Sequence, residues 1–226
     1  MDIKQFKHFK GVYESKIGGR SILLTKNMVP GKTVYGEDTF KSEGVEYRDW
    51  DPERSKLGAA LVKDVSQINM KEGDYILYLG CSTGTTVSHV SDIVGPTGMI
   101  FALDFAPRVL RDIVFVAEQR GNIAPILADA NKPQTYAHLI SEVDTIFMDI
   151  AQKNQADIFI KNCELFLKPG GFELLALKAR SVDVTRYPKE IFRNVRAILE
   201  KKFTMVDYRE LDPFEKDHAF YVVKKK

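Results

Sequence analysis

With 226 residues, 44% hydrophobic and 28% charged, and a formal net charge of +2, the chain is long enough to bury a core and too evenly charged to hold nucleic acid by bulk attraction alone. No apolar run approaches the roughly eighteen residues of a membrane span, and Met1-Asp2-Ile3-Lys4-Gln5-Phe6-Lys7 carries no signal-peptide core, so no membrane association and a cytoplasmic setting are expected. Cys81 and Cys163 stand in unrelated contexts without metal-ligand spacing; they suggest neither a disulfide framework nor a metal site and read as small buried hydrophobes.

Residues 1–52 hold short β-rich pieces (Gly11-Val12-Tyr13, Ser21 to Thr25, Thr33-Val34-Tyr35, Val45-Glu46-Tyr47) punctuated by Gly18-Gly19, Pro30-Gly31 and Gly36. That is the pattern of a small antiparallel sheet domain, closed by Asp51-Pro52. Residues 53–226 read as a second domain. From a Ser55 cap, Leu57, Leu61, Val65 and Ile68 recur on one helical face. Tyr75 to Leu79 is a strand, Gly80 to Gly84 a turn, and Val87 to Val94 helical. Met99 to Leu103 is the next strand, and Pro107 opens a helix running through Val109, Ile113 and Val116. Ala124 to Leu127 and Val143 to Met148 are strands, followed by a helix from Ala156 to Phe166 that stops at Lys168-Pro169-Gly170-Gly171. Phe172 to Leu177 is a strand, Pro188 to Lys201 a helix, and Thr204 to Leu211 and Ala219 to Val223 close the chain. Strands alternating with helices imply an α/β, doubly wound, mostly parallel sheet.

Polar residues gather where these strands end: the Gly80 loop, Asp104, Asp129, Asp149 and Lys178. Open α/β sheets bind ligands at that edge. Gly80 and Gly84 can take positive φ and admit a ligand close to the backbone, while the following helix start presents free N–H groups. Asp104, about twenty residues on at the next strand end, stands where such units hold a ribose hydroxyl pair. Gly80-Cys81-Ser82-Thr83-Gly84 also fits G-x-S-x-G, which would make Ser82 a hydrolase nucleophile, but the loop follows what reads as the first strand of its unit rather than a late one. Between Lys178 and Lys202, eight Lys or Arg face three acids (Asp183, Glu190, Glu200), a run that could track phosphates or form a solvated helix face.

Longer strings carry a resemblance. Asn27-Met28-Val29-Pro30-Gly31-Lys32-Thr33-Val34-Tyr35-Gly36-Glu37, Tyr47-Arg48-Asp49-Trp50-Asp51-Pro52, Arg54-Ser55-Lys56-Leu57, Gly84-Thr85-Thr86-Val87-Ser88-His89-Val90, Asp149-Ile150-Ala151-Gln152, Leu177-Lys178-Ala179-Arg180-Ser181 and Asp217-His218-Ala219 resemble the archaeal fibrillarins, S-adenosylmethionine-dependent RNA ribose 2′-O-methyltransferases. The resemblance implies a Rossmann-like class I methyltransferase sheet of seven strands with the last antiparallel. It implies cofactor contacts from the Gly80 loop, Gly84, Thr85, Thr86, Asp104, Phe105, Asp129, Ala130 and Asp149 to Gln152, and a catalytic set of Lys56, Asp149, Lys178 and His218. It also implies a box C/D guide RNA, target rRNA or tRNA, a Nop-family scaffold protein and a kink-turn-binding ribosomal-type protein. The family usually has Glu where Asp104 stands and a small residue such as Ala at Cys81.

The chemistry agrees. Methyl transfer from a sulfonium needs in-line alignment and partial deprotonation of a weakly acidic hydroxyl. Asp149 as proton acceptor, with Lys56 and Lys178 stabilising oxyanion charge, meets both needs. A methyltransferase of base amines is expected to show Asn/Asp-Pro-Pro-aromatic after the fourth strand, and Asp149-Ile150-Ala151-Gln152 is not that string. A non-catalytic scaffold subunit is disfavoured by the intact Lys56, Asp149 and Lys178.

Overall fold

Two sheets, each matching one part of the sequence pattern, organise the chain; the computed structural model describes residues 1–226. The first is antiparallel, with strands β1 (Lys4–Gln5), β2 (Val12–Ile17), β3 (Arg20–Lys26), β4 (Thr39–Ser42) and β5 (Val45–Asp49) in the order β1-β2-β3-β5-β4. The second contains β6 (Tyr75–Leu79), β7 (Met99–Asp104), β8 (Ile123–Leu127), β9 (Val143–Met148), β10 (Leu167–Lys178), β11 (Phe203–Glu210) and β12 (His218–Lys225). Its seven strands run β11-β12-β10-β9-β6-β7-β8, and only β12 is reversed, pairing antiparallel with both neighbours. This is the expected methyltransferase-type sheet.

The helices are α1 (Lys56–Val62), α2 (Thr85–Val94), α3 (Pro107–Arg120), α4 (Gln155–Phe166), α5 (Ala179–Val182) and α6 (Pro188–Lys202). Apolar clusters fill both faces of the large sheet. One contains Ile76, Tyr78, Val90 and Ile100 and continues into Phe9, Val12, Leu23 and Trp50 of the small sheet, so the two sheets share a core. The other packs Leu77, Ile146 and Leu175 against Phe159, Phe192 and Leu199.

Charge also joins the sheets. The Arg48 guanidinium, wholly buried, reaches Glu37 at 2.6 Å and Asp92 at 2.8 Å, and Asp92 also takes Arg120 at 2.6 Å. Buried charges of this kind persist only when paired.

Two expectations fail locally. Thr33-Val34-Tyr35 is no strand, because the Val34 and Tyr35 amides donate to the Glu37 carboxylate and close a turn that leaves no ladder. The helix from Ser55 stops at Lys63 rather than continuing through Ile68. Asp64 turns left-handed, its amide bonds to the Leu61 carbonyl, and the Val65 amide bonds to the Ala60 carbonyl, a Schellman ending. Val65 and Ile68 stay buried all the same.

Candidate active site

Gly80 ends β6 with φ 82°, and a Cβ there would come within 2.4 Å of the Asp149 carbonyl oxygen, so only glycine lets the β6 and β9 loops approach this closely. The Gly80 and Cys81 amides donate to the Leu103 carbonyl, tying the loop to the end of β7. Asp104 completes the tie: one carboxylate oxygen accepts from the Ser82 amide at 3.2 Å and the other from the Ala106 amide at 3.0 Å. The short acid is thereby fixed between two loops rather than left free.

Above this frame lies a cleft of about 320 Å³ lined by Gly80, Asp104, Phe105, Asp149 to Gln152, and also Ser82, Leu103, Ala128 and Ala130. Phe105 stands 66% exposed at its mouth. A neighbouring hollow, sharing Phe105, Ala128 and Gln152, adds Leu127, Asp129 and Asn131. Asp129 accepts from the Asn131 amide at 2.9 Å, and Asn131 donates from Nδ2 to Gln152 Oε1 at 2.7 Å, so the loops after β8 and β9 are joined across the site.

Gly84, Thr85 and Thr86 do not line the cleft. Gly84 (φ 101°) caps α2 where a Cβ would press on Ile113, and the buried Thr86 hydroxyl donates to Ser55 Oγ at 3.0 Å, toward α1. Ser82 is exposed and its amide is spent on Asp104; its hydroxyl has no base beside it, which leaves the hydrolase alternative without a mechanism.

At the other end of the cleft, Ser55 caps α1 by accepting from the Gly58 amide, which sets Lys56 at the first helical position. Lys56 Nζ pairs with Asp149 Oδ2 at 3.0 Å, both side chains being 21% exposed. Burial works to lower the Lys56 pKa, but Asp149 and then Glu215 outweigh it and hold the ammonium above its ordinary value. Lys56 is therefore a fixed cation and cannot serve as a base. Lys178 ends β10 directly opposite His218 on β12, and Gln155 clamps the Lys178 backbone through both its amide and its carbonyl, each at 3.2 Å.

His218 is 5% exposed. Its Nδ1 lies 2.8 Å from the Lys216 carbonyl, which can only accept, so Nδ1 carries the proton. Nε2 then offers a lone pair, and it is buried without a partner. Burial, with help from the Lys56 charge, pushes the imidazole below its ordinary pKa, so the ring is neutral at pH 7.

Sequence reasoning overlooked the supports Gln155, Asn131 and Glu215, single polar residues with no periodic or spacing signal, and weighed Ser82 only as a nucleophile rather than for its amide. Half of the basic run near the C-terminus is paired, through Arg180–Asp217, Arg186–Glu190, Arg196–Glu200 and Lys202–Glu164, while Lys178, Lys189, Arg193 and Lys201 have no acidic partner. A larger hollow, about 670 Å³, lies between the small sheet and the end of α2, beside Lys10, Lys26 and Lys71, away from this edge. Lys56, Lys178 and His218 do not line the cleft either, but Asp149 does and joins Lys56 to it; the cleft with its acids is the better candidate, because convergent polar groups mark a site more reliably than volume.

Comparison with known proteins gives a consistent result. The fibrillarin family model matches residues 3–226. The fibrillarin-like rRNA/tRNA 2′-O-methyltransferase of Pyrococcus horikoshii is 50% identical over 226 residues, covering 100% of this chain and 99% of the relative. Aeropyrum pernix fibrillarin, solved with natively bound S-adenosyl-L-methionine, superposes with a TM-score of 0.92 at 45% identity, covering 99% of this chain and 98% of that one. A fibrillarin in complex with Nop5p superposes with a TM-score of 0.89 at 36% identity, covering 99% of this chain and 100% of that one.

Proposed function

This chain belongs to the fibrillarin family, and from that membership we propose how it acts: as the S-adenosylmethionine-dependent RNA ribose 2′-O-methyltransferase of a box C/D guide particle, methylating rRNA and tRNA. The residues fit the cofactor. The cleft falls in the about 300–1,000 Å³ range of small-molecule sites, and its glycine floor, exposed aromatic and ordered acid suit a nucleoside. Asp104 would hold the ribose hydroxyls with Phe105 beside them, Asp129, Ala130 and Asn131 the adenine, and Asp149 to Gln152 the methionine end. When bound, S-adenosylmethionine supplies an electrophilic methyl group on a sulfonium.

The Lys56–Asp149 pair beside the neutral, partnerless His218 is the observation that carries the mechanism. The neutral His218 ring, buried beside Lys56 and Asp149, adds no charge that would compete with the pair for the 2′-hydroxyl and helps wall the ribose into line with the methyl donor. Lys56 occupies Asp149 Oδ2, which would leave Oδ1 to take the proton that the 2′-hydroxyl gives up. Lys56 and Lys178 stabilise the negative charge that develops on the 2′-oxygen.

Selection of the nucleotide comes from elsewhere. A net charge of +2, with half of the basic run taken up by ion pairs, gives little general phosphate attraction, and base pairing to a guide would carry the sequence information. The assembly consists of a guide RNA, a kink-turn-binding protein and a Nop-family scaffold, for which the N-terminal sheet is the proposed docking face. No helix is long and apolar enough to cross a membrane, and the reading carries a cytoplasmic setting with it.

The test compares methyl incorporation by the isolated chain, by the chain with scaffold protein, and by the full particle with matched or mismatched guide. Only the matched particle should methylate. Strong, sequence-specific activity of the isolated chain on naked RNA would overturn guide dependence, and an inactive matched particle would overturn the enzymatic assignment.

A further inference from the structure

Contacts along α6 fix where the free cations of the basic run stand. The helix ends at Lys202 and enters β11 directly at Phe203, which pairs with Lys225, the end of β12 remote from His218. It therefore runs away from the edge where Lys178 lies opposite His218, and its start is the nearer end. One hydrogen bond sets the level: the Tyr221 hydroxyl donates to the Phe192 carbonyl at 2.9 Å, and Tyr221 stands about 10 Å along β12 from His218. Lys189 lies almost a helical turn closer to the edge than Phe192. Glu210, which ends β11 opposite Ala219 and so next to His218, lines one shallow hollow of about 310 Å³ with Lys189, Arg193, Arg196, Phe192 and Tyr208.

What this hollow shows to solvent is charge. Phe192 is buried and Tyr208 half-buried, while Lys189 and Arg193 are exposed, sit four residues apart on one helix face and have no acidic partner. Arg196 is taken by Glu200, and Glu210, the one acid of the lining, accepts the Tyr208 hydroxyl at 3.3 Å. Protein interfaces are depleted of charge at their centres, whereas exposed cations on a helix beside a catalytic edge suit phosphates.

We propose that Lys189 and Arg193 hold backbone phosphates of the guide–target duplex while its target ribose lies at the Lys178–His218 edge. The inference rests on the methyltransferase reading of the site, which brings that duplex to this edge. Ala219 and Tyr221 face α6, so His218 and Lys178, out of step with them, face the other side of the sheet. A ligand that meets both sets must spread its charge over more than the roughly 10 Å of a helix layer. A lone phosphate cannot do this; a duplex with two backbones can. Phosphate contacts read no sequence, as an enzyme directed by base pairing requires.

The test measures binding of a fluorescently labelled guide–target RNA duplex to the full-length chain by anisotropy, across a salt series. Lys189→Gln with Arg193→Gln should weaken binding about fivefold near 0.1 M salt and flatten the log Kd against log salt slope by about 2. Glu210→Gln, which removes the opposing charge, should tighten it. Lys201→Gln removes an equally unpaired cation from the far end of α6 and should change nothing. In the assembled particle the single-turnover rates should rank in the same order. Wild-type duplex binding by the double variant overturns the proposal, as does an equal loss on Lys201→Gln, which would mean bulk charge alone. Loss of the scaffold protein from the double-variant particle also overturns it, by making this face a protein interface. Anisotropy needs no turnover, so a wild-type particle that failed to methylate would sink the enzymatic reading while the duplex contact was judged separately.

Discussion

Replacing Lys56 by Met keeps the length and apolar stem of the side chain and removes only its charge, which isolates the electrostatic part of the mechanism. At the observed 3.0 Å, a Lys56–Asp149 pair at an effective dielectric of about 20 is worth roughly 5 kcal/mol. With both partners 21% exposed, solvent screening brings this down to about 3 kcal/mol. In the proposed mechanism the same charge faces the developing oxyanion, and loss of one preorganised group there typically lowers turnover about 10²–10³-fold. A second effect has a definite sign. His218 lies below its ordinary value through burial and, among the charges, through Lys56, while Glu215 and Asp149 pull it up. Without Lys56 the pull from the two carboxylates is unopposed, so the His218 pKa rises. Because the neutral ring is the working form, the acid limb of the rate–pH profile moves to higher pH. Single-turnover methylation across pH, paired with an NMR titration of His218, measures both. Lys56→Met that keeps its rate within about threefold of wild type, or a His218 pKa that falls, would refute the reasoning.

Asp104→Ala should weaken S-adenosylmethionine binding by about 1.5–3 kcal/mol in calorimetry, the value of a hydrogen bond to a charged group, and unchanged affinity moves the ribose contact elsewhere. Arg48→Met leaves buried Glu37 without its cation and Asp92 with Arg120 alone, and should cost about 3–5 kcal/mol, a fall in Tm of about 10 °C; a melt within about 3 °C of wild type would show that the network contributes little. Glu173 is buried with neither carboxylate oxygen bonded, and burial pushes it from 4.5 up to about 8, against a smaller opposing pull from Lys225. The folded value being the higher one, stability is full below about pH 4.5 and declines as pH rises to about 8, so Glu173→Gln should gain most, on the order of a few kcal/mol, at pH 8 and little at pH 4.5 in urea titrations. Equal gains at both pH values would mean that Glu173 is not held protonated.

What could be read from the sequence was whatever is local and periodic. The alternating apolar runs located every strand of the large sheet, and Gly80 and Asp104 announced a ligand loop because spacing along one strand-helix-strand unit is a property of consecutive residues. Asp149 and Lys178 were legible as polar residues closing apolar runs, whereas His218, at the turn before the last strand, was marked only by the resemblance. The misreadings came where a single side chain overrode local preference. Val34 and Tyr35 favour strands, yet the Glu37 carboxylate captured their amides and made a turn. Leu57 to Ile68 kept helical spacing although Asp64 ended the helix, since burial of Val65 and Ile68 needs only that they face the core. The Arg48–Asp92–Arg120 network joins residues 44 and 28 positions apart, and no pattern in one sequence connects them.

The same network bears on catalysis through the placement of Lys56. The short helix α1 has no long apolar face to dock it, and its position is set by its neighbours. Trp50, at the end of the small sheet, lies wholly buried, stacks on His89 of α2 at 4.9 Å, and packs so closely beneath Gly58 that a Cβ there would meet its indole nitrogen at 3.1 Å. Ser55 caps α1 and receives the Thr86 hydroxyl from the start of α2. His89 is in turn bonded by Thr25 and Tyr35, each at 2.7 Å, and burial keeps its ring neutral between them. The Trp50–Gly58 packing joins the segment leaving the N-terminal sheet to α1, the Trp50, Thr25, Tyr35 and Ser55 contacts with His89 and Thr86 join it to α2, and α2 is also where Arg48 anchors through Ser88 and Asp92. The small sheet therefore fixes the direction from which Lys56 reaches Asp149. A lysine ammonium on a flexible stem loses its electrostatic value when its helix shifts by about an ångström. Loosening the sheet at Arg48 should then depress turnover at temperatures where the large sheet is still folded and the Asp104 cleft still binds its ligand.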